Sequence, residues 1–169
     1  AAYSNYNHIT INNGSTTTLS SGSFMMAGNL SVSGTFDIGS AIAVGGTTTV
    51  NSGGTITVSS GVAGDLAFTG LVTVASGGTW NETAATSVNF SGGLTNSGTF
   101  TASTGNHFFD GTAKTITGTI SIPTVTISGT TSNAGTLTVS TALAGASTLT
   151  NSATGTLNIG GTSGITGLT

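Results

Sequence analysis

A tripeptide of Gly, Thr and a large apolar residue recurs along this chain with a nearly constant period. The seven copies begin at Gly34, Gly54, Gly78, Gly98, Gly118, Gly135 and Gly155. Only the step from Gly54 to Gly78 is longer than the common interval, and only the step from Gly118 to Gly135 is shorter. A degenerate copy, Gly14-Ser15-Thr16, lies one further period before the first. A period of about 20 residues is typical of stacked supersecondary units. The chain is therefore limited to a small set of repeat architectures.

Superposing the copies produces two apolar columns with a polar column between them. The second residue after each Gly is Phe36, Ile56, Trp80, Phe100, Ile120, Leu137 or Leu157. The fourth is Ile38, Val58, Glu82, Ala102, Ile122, Val139 or Ile159, and the residue between is Asp37, Thr57, Asn81, Thr101, Ser121, Thr138 or Asn158. Alternation with period two indicates strands with one buried face. We expect the flanking columns to point inward, with Glu82 as the exception.

These columns favour an all-β fold, a β-solenoid of about eight coils with roughly 20 residues and three short strands in each. No segment has apolar residues at helical spacing, so essentially no helix is expected. A β-sandwich does not require the same tripeptide at near-equal steps, and a propeller needs a period of about 40–50 residues. Right-handed winding is expected because parallel crossovers favour that hand.

The corners between strands should carry the irregularities of the repeat. The recurring Gly is expected to supply positive φ at a tight corner. The long step after Gly54 and the short step after Gly118 predict an insertion and a deletion in a corner loop. Pro123 should end a strand or mark a bend, because Pro cannot donate to a strand ladder.

Composition excludes several classes of partner. The chain has 169 residues, with 28 Gly, 37 Thr and 23 Ser, one Lys, no Arg and no Cys. Without a basic patch it cannot displace counterions from a nucleic acid, and no apolar run approaches the ~20 residues of a membrane-spanning helix. A flexible linker would share the low charge but lacks periodic β-branched residues. We therefore expect residues 1–169 to form a single solenoid domain, a section of a longer or polymerised rod.

The runs Gly135-Thr136-Leu137-Thr138-Val139 and Leu94-Thr95-Asn96-Ser97-Gly98-Thr99-Phe100 resemble the repetitive passenger regions of filamentous-haemagglutinin-like and autotransporter-type bacterial adhesins. The resemblance covers nearly the whole chain but includes no family-specific motif, so no functional residue is carried over from it. It implies an exported, right-handed β-helical stalk or fibre at the cell surface.

Few side chains could perform acid–base chemistry, so no enzyme, cofactor or metal site is expected. The candidates are Asp37, Asp65, Glu82, Asp110, His8 and His107. Asp65 and Glu82 could be neighbours in adjacent coils, within the separation that a glycosidase needs, but no supporting cation is expected nearby. Because burying an unpaired carboxylate is costly, a bulge that turns Glu82 outward is favoured over a protonated or hydrogen-bonded Glu82 in the core.

Two further expectations concern side chains near the middle of the chain. Asp110-Gly111 is a turn dipeptide, and Lys114 is expected to pair with Asp110 at the surface. Phe108 and Phe109 are adjacent, so they cannot both point inward from a regular strand.

The function favoured by the sequence is that of a structural section of an extracellular fibre or adhesin stalk. Neither end of the chain has the pattern of a polar cap, which predicts stacking on further coils or on identical subunits. The alternative is a module that binds carbohydrate or ice through Thr/Ser arrays. Its Thr-x-Thr pairs are expected to occupy different columns, because their spacings do not follow the coil period: Thr16/Thr18, Thr47/Thr49, Thr55/Thr57, Thr115/Thr117, Thr124/Thr126 and Thr136/Thr138.

Overall fold

The computed structural model describes residues 6–59, 66–165 and 167–169. None of these residues is helical, and parallel strands wind them into a β-solenoid of about eight turns, roughly 20 residues apart. No helix capable of crossing a membrane is found in this part of the chain. The predicted fold class is confirmed, while the handedness of the winding stays a prediction.

The described residues form 22 strands. They are β1 (Ile9–Ile11), β2 (Thr16–Leu19), β3 (Phe24–Met26), β4 (Leu30–Val32), β5 (Thr35–Ile38), β6 (Ile42–Val44), β7 (Thr48–Val50), β8 (Thr55–Val58), β9 (Leu66–Phe68), β10 (Val72–Val74), β11 (Thr79–Glu82), β12 (Val88–Phe90), β13 (Leu94–Asn96), β14 (Thr99–Thr101), β15 (Asn106–Phe109), β16 (Lys114–Ile127), β17 (Thr131–Asn133), β18 (Thr136–Ala144), β19 (Thr148–Asn151), β20 (Thr156–Ile159), β21 (Thr162–Ser163) and β22 (Gly167–Leu168).

The strands visit three faces in strict rotation. In the first five coils, face 1 begins with β1, face 2 with β2 and face 3 with β3, and every strand except β14 pairs in parallel with its equivalent in the next coil. Coil 6 is the single strand β16, whose residues 114–118, 119–122 and 124–127 lie on faces 1, 2 and 3. Coil 7 is β17 with β18, and coil 8 is β19 to β21.

The apolar columns inferred from the repeat point inward and stack in register. On face 2, Phe36 pairs with Ile56, Ile56 with Trp80, and Trp80 with Phe100. The buried core continues through every coil, and in coils 3 to 5 it contains an aromatic cluster with ring centroids 5.2–6.2 Å apart. That cluster is Phe68, Trp80, Phe90, Phe100, His107 and Phe109.

The recurring Gly is required by close packing rather than by positive φ. Of the seven glycines that open the repeat, only Gly118 has positive φ, at +91°. A Cβ on Gly54 would overlap the carbonyl oxygen of Val32 in the preceding coil, and a Cβ on Gly135 would overlap that of Gly118. The prediction of positive φ was therefore wrong for six of the seven, because the steric constraint lies between coils and not within the turn.

Variation in coil length is concentrated where the chain passes from face 2 to face 3. In coil 5 this corner spans residues 102–105, whereas in coil 6 Pro123 alone separates residues 119–122 from residues 124–127. The pairing register shifts between Ile122 and Thr124, which confirms a bend at Pro123 and places the predicted deletion there. The predicted insertion lies largely in residues 60–65, outside the described residues.

Face 2 contains one interruption, between coils 5 and 6. The amide of the Thr that follows the recurring Gly donates to the preceding coil's Gly carbonyl at most steps, for example from Thr99 to Gly78 at 2.9 Å and from Thr156 to Gly135 at 2.8 Å. Within the described residues no such bond joins Thr119 to Gly98, and β14 pairs only with β11. Coil 6 is shorter than coil 5, and at Gly118 its face 1 segment continues directly into its face 2 segment with no corner residues between them. Its face 2 segment is therefore out of register with β14.

Candidate functional site

Glu82 lies in the core, which corrects the expectation of a bulge that turns it outward. It continues the regular register of β11, opposite Val58, and only 5% of its surface is exposed. Burial is tolerated because polar groups surround the carboxylate. Of the two alternatives left open by the sequence, the hydrogen-bonded core carboxylate is the one that forms.

The carboxylate of Glu82 joins coil 4 to coil 5 through hydrogen bonds. Its Oε1 accepts from the indole N–H of Trp80 at 2.8 Å, and its Oε2 accepts from the backbone N–H of Ser103 at 2.9 Å. Nε2 of His107 lies 2.9 Å from the same Oε2, and Nδ1 of His107 lies 3.0 Å from the carbonyl oxygen of Gly105. The expectation that no basic side chain supports Glu82 was therefore wrong.

The partners of His107 determine where its protons lie. A carbonyl oxygen can only accept a hydrogen bond, so Nδ1 must donate to Gly105. Both oxygens of Glu82 already accept N–H donors, which favours an ionised carboxylate. Glu82 and His107 form a buried pair whose side chains are 1% and 0% exposed.

The pKa of Glu82 reflects opposing effects. Burial alone would raise it, but the hydrogen bond and charge of His107, together with the N–H groups of Ser103 and Trp80, hold the pKa below its ordinary value of 4.5. Both side chains are buried, so these hydrogen bonds join two coils within the core.

The remaining candidates are dispersed. Asp65 lies outside the described residues, so its proximity to Glu82 stays a prediction. Asp37 faces outward on face 2, and Nδ1 of His8 accepts from the backbone N–H of Asn29 at 3.0 Å. No group of three or more potential metal ligands occurs among the residues that the structure covers.

Asp110 has a different partner from the one predicted. Its Oδ2 accepts from the side-chain amide of Asn89 at 2.7 Å, and no ion pair with Lys114 forms among the described residues. Burial would raise the pKa of Asp110, but the hydrogen bonds from Ser91 and Asn89 outweigh it and lower that pKa. On β15, Phe109 is fully buried and Phe108 faces outward, as the parity of the strand requires.

Face 2 displays two files of polar side chains in register. The first is Thr16, Thr35, Thr55, Thr79 and Thr99, continued after the interruption by Thr119, Thr136 and Thr156. The second is Thr18, Asp37, Thr57, Asn81 and Thr101, continued by Ser121, Thr138 and Asn158. The expectation that Thr-x-Thr pairs occupy different columns is wrong for Thr16/Thr18, Thr55/Thr57 and Thr136/Thr138. Spaced Thr pairs in the sequence do not reveal the files, because the Thr of the repeat forms one column by itself.

The interruption in face 2 opens a cleft of about 520 Å³. It is lined by Asn96, Ser97, Gly98, Thr99, Phe100, Gly118, Thr119 and Ser121. None of these residues is ionisable. Phe100 is partly exposed and stacks on Trp80 with ring centroids 6.0 Å apart.

Both ends of the described solenoid expose apolar side chains. At coil 1, a cavity of about 250 Å³ is lined by Tyr6, Ile9, Ile11, Thr17, Thr18, Leu19, Phe24 and Phe36. Tyr6 is 49% exposed and stacks on Phe24. At the other end Leu168 is 45% exposed, and Leu157 and Ile159 are only partly buried.

Comparisons with protein-family models, with curated proteins and with solved structures find no match to this chain. Its functional interpretation therefore depends on the geometry of the cleft, the two files and the ends.

Proposed function

We propose that this chain is a non-catalytic structural section of an extracellular or cell-surface fibre or adhesin stalk, whose end coils stack on further coils. The observation that carries the proposal is the core, which runs through all eight coils in stacked columns with parallel strands on three sides. A solenoid of this kind is stiff along its axis, because each coil packs on both neighbours.

The apolar ends support stacking rather than an isolated particle. Strand edges that lack a partner pair readily with another chain, and the cavity below Tyr6 and Phe24 presents apolar surface beside such an edge. Leu157, Ile159 and Leu168 present the complementary kind of surface at the opposite end. A head-to-tail contact of this type does not close, so it propagates into a filament. Nucleic acid has no part in this proposal, because the chain has almost no cationic side chains. Membrane insertion has none either, because no apolar run approaches the ~20 residues of a membrane-spanning helix.

Paired substitutions at the first coil test the stacking. Phe24 lines the end cavity, whereas its neighbour Met25 faces outward from face 3 and is 44% exposed. Phe24→Lys should abolish concentration-dependent association in analytical ultracentrifugation, while Met25→Lys should associate like the unmodified chain. A monomeric unmodified chain at all concentrations, or equal behaviour of the two variants, would reject end-to-end stacking.

A second function is favoured by the two files on face 2. Side chains two residues apart and in adjacent coils form a regular array with spacings of about 6.6 Å and 4.8 Å. Such an array suits a repetitive ligand surface, either ice or crystalline polysaccharide. We propose it as the alternative role, in which the solenoid is a surface-binding module.

Thr57→Tyr and Thr73→Tyr are a matched pair for this alternative. Both positions face outward in the middle of a sheet, Thr57 on face 2 and Thr73 on face 1. Thermal hysteresis, or co-sedimentation with cellulose or chitin particles, should be lost in Thr57→Tyr and retained in Thr73→Tyr. If the unmodified chain shows neither effect, the alternative is excluded.

A further inference from the structure

We propose that the cleft between coils 5 and 6 on face 2 is a binding site for a neutral oligosaccharide. The proposal is independent of the fibre role: a filament that binds no sugar would contradict this inference alone, and a sugar-binding monomer would contradict only the fibre.

The cleft is produced by the mismatch between two coils. Coil 5 contains the aromatic rings of Phe100 and Phe109, and four residues separate its face 2 and face 3 strands. Coil 6 has only Pro123 at that corner. Because coil 6 is shorter than coil 5, its face 2 segment cannot stack along the whole of β14, so an open cleft remains next to that strand. Its volume of about 520 Å³ is within the usual range for a small-ligand pocket.

The lining of the cleft has the chemistry of a sugar site. The partly exposed ring of Phe100 offers an apolar platform for the C–H face of a pyranose, and Trp80 supports that ring from the other side. Thr99, Thr119 and Ser121 also line the cleft, and the hydroxyl of each can donate and accept a hydrogen bond. An uncharged lining gives no favourable partner to a phosphate or carboxylate, so the ligand should be neutral.

The backbone of the cleft adds fixed polar groups. Between most other adjacent coils, the amide of the Thr donates to the carbonyl of the Gly in the preceding coil, but Thr119 and Gly98 form no such bond. Both groups can therefore bind a ligand hydroxyl. The side chain of Asn96 is held in place, because its Nδ2 donates to the Thr119 carbonyl at 2.8 Å and its Oδ1 accepts from Gly98 N–H at 3.1 Å. The wall of the cleft is therefore rigid on the side of face 1.

An inserted peptide strand does not fit this cleft. A strand between β14 and residues 119–122 would require them to separate by two strand spacings, about 9.6 Å. The flanking faces remain paired across the same step, with Leu94 opposite Ile116 on face 1 and His107 opposite Val125 on face 3. Coils 5 and 6 therefore stay one strand spacing apart, and a pyranose ring is a better occupant than a peptide strand.

The test is titration of the 169-residue chain with short cello-, xylo-, malto- and chito-oligosaccharides by isothermal calorimetry. The fluorescence of Trp80, the one tryptophan in the sequence, gives a second readout, because its ring contacts Phe100. Saturable binding of at least one sugar with a change in tryptophan emission is expected.

Matched variants locate the binding. Thr99→Val removes a hydroxyl at the cleft and should weaken binding about 5-fold, the effect of one lost hydrogen bond. Thr79→Val makes the same change in the same file one coil earlier, where the ladder is intact, and should change the Kd by less than about 2-fold. Phe100→Leu keeps an apolar side chain but removes the aromatic platform, and should weaken binding about 10-fold.

Three results would overturn the proposal. They are no binding of any sugar in the panel, equal weakening by Thr99→Val and Thr79→Val, or binding that is unchanged in both Thr99→Val and Phe100→Leu. If Phe100→Leu fails to fold, as circular dichroism would reveal, the comparison between Thr99→Val and Thr79→Val still decides.

Discussion

At the scale of single residues, the Glu82–His107 pair is the feature that departs most from the repeat. Both residues occupy inward positions whose equivalents in the preceding coil, Val58 and Val88, are apolar, and the two side chains contact each other across one coil boundary. A buried pair is a weak contribution to stability compared with apolar packing, but removing one partner is expensive because the other is left uncompensated.

Substituting Glu82 by Gln should lower the free energy of unfolding by about 3 kcal/mol. The amide NH₂ of Gln cannot accept a hydrogen bond, so either the indole N–H of Trp80 or the backbone N–H of Ser103 loses its partner. Denaturant unfolding followed by circular dichroism measures the change. The control is Asp110→Asn, the same chemical change at an exposed carboxylate, which should cost less than about 1 kcal/mol. Similar losses of unfolding free energy in the two variants would show that the buried network contributes no more to stability than an exposed carboxylate.

Acid should weaken the solenoid through Glu82. Its pKa in the folded chain lies below the ordinary value of 4.5, so its contribution to stability is fully present above pH 4.5 and is lost as the pH falls through the lowered pKa. Asp110, whose pKa is also lowered, acts in the same direction, but its exposure screens the effect. The free energy of unfolding should therefore fall more steeply below pH 4.5 in the unmodified chain than in Glu82→Gln. Parallel curves would contradict this assignment.

The sequence predicted the direction of Glu82 only in part. Its position in the fourth column indicated an inward side chain, and the cost of a buried carboxylate argued against it. The resolving partner, His107, belongs to the next coil and to a different face. A signal did exist in the parity of β15: since Phe109 points inward, His107 must as well. Sequence spacing alone could not show that two faces bring these residues within 2.9 Å.

At the scale of strands and corners, the recurring Gly sets the distance between coils. The seven glycines were readily found from the period, but their physical role was assigned wrongly, because a turn that needs positive φ and a contact that leaves no room for Cβ select the same residue. The neighbours Gly53 and Gly54 show the two roles separately, positive φ in a turn and close contact between coils. Gly53 has φ +78°, and a Cβ there would meet no atom within 4 Å, whereas a Cβ on Gly54 would overlap the carbonyl oxygen of Val32.

Alanine substitution of these neighbours should therefore have unequal effects. Gly53→Ala incurs only the backbone strain of a left-handed residue, about 1–2 kcal/mol. Gly54→Ala forces coils 2 and 3 apart and should cost more than about 3 kcal/mol. Thermal unfolding of the two variants compares them directly. If Gly53→Ala is the less stable of the two variants, turn geometry and not packing between coils explains the recurring Gly.

At the scale of the whole molecule, the fold was the part that the sequence predicted best. The regular period of the tripeptide and the alternating apolar positions were sufficient to predict the solenoid, its coils and the direction of the columns. The cleft was not predicted, because it depends on how coils 5 and 6 differ in both corner length and core side chains. The two files on face 2 were missed because register, and not local spacing, aligns them.

Electron cryo-microscopy of the native material tests the central proposal most directly. Eight coils at one strand spacing extend roughly 35–40 Å, so a structural rod built by stacking should appear as unbranched filaments much longer than this. Their diffraction should show a spacing of about 4.8 Å along the filament axis. Discrete particles no longer than about 40 Å, or a spacing of about 4.8 Å across the filament instead of along it, would contradict the proposal.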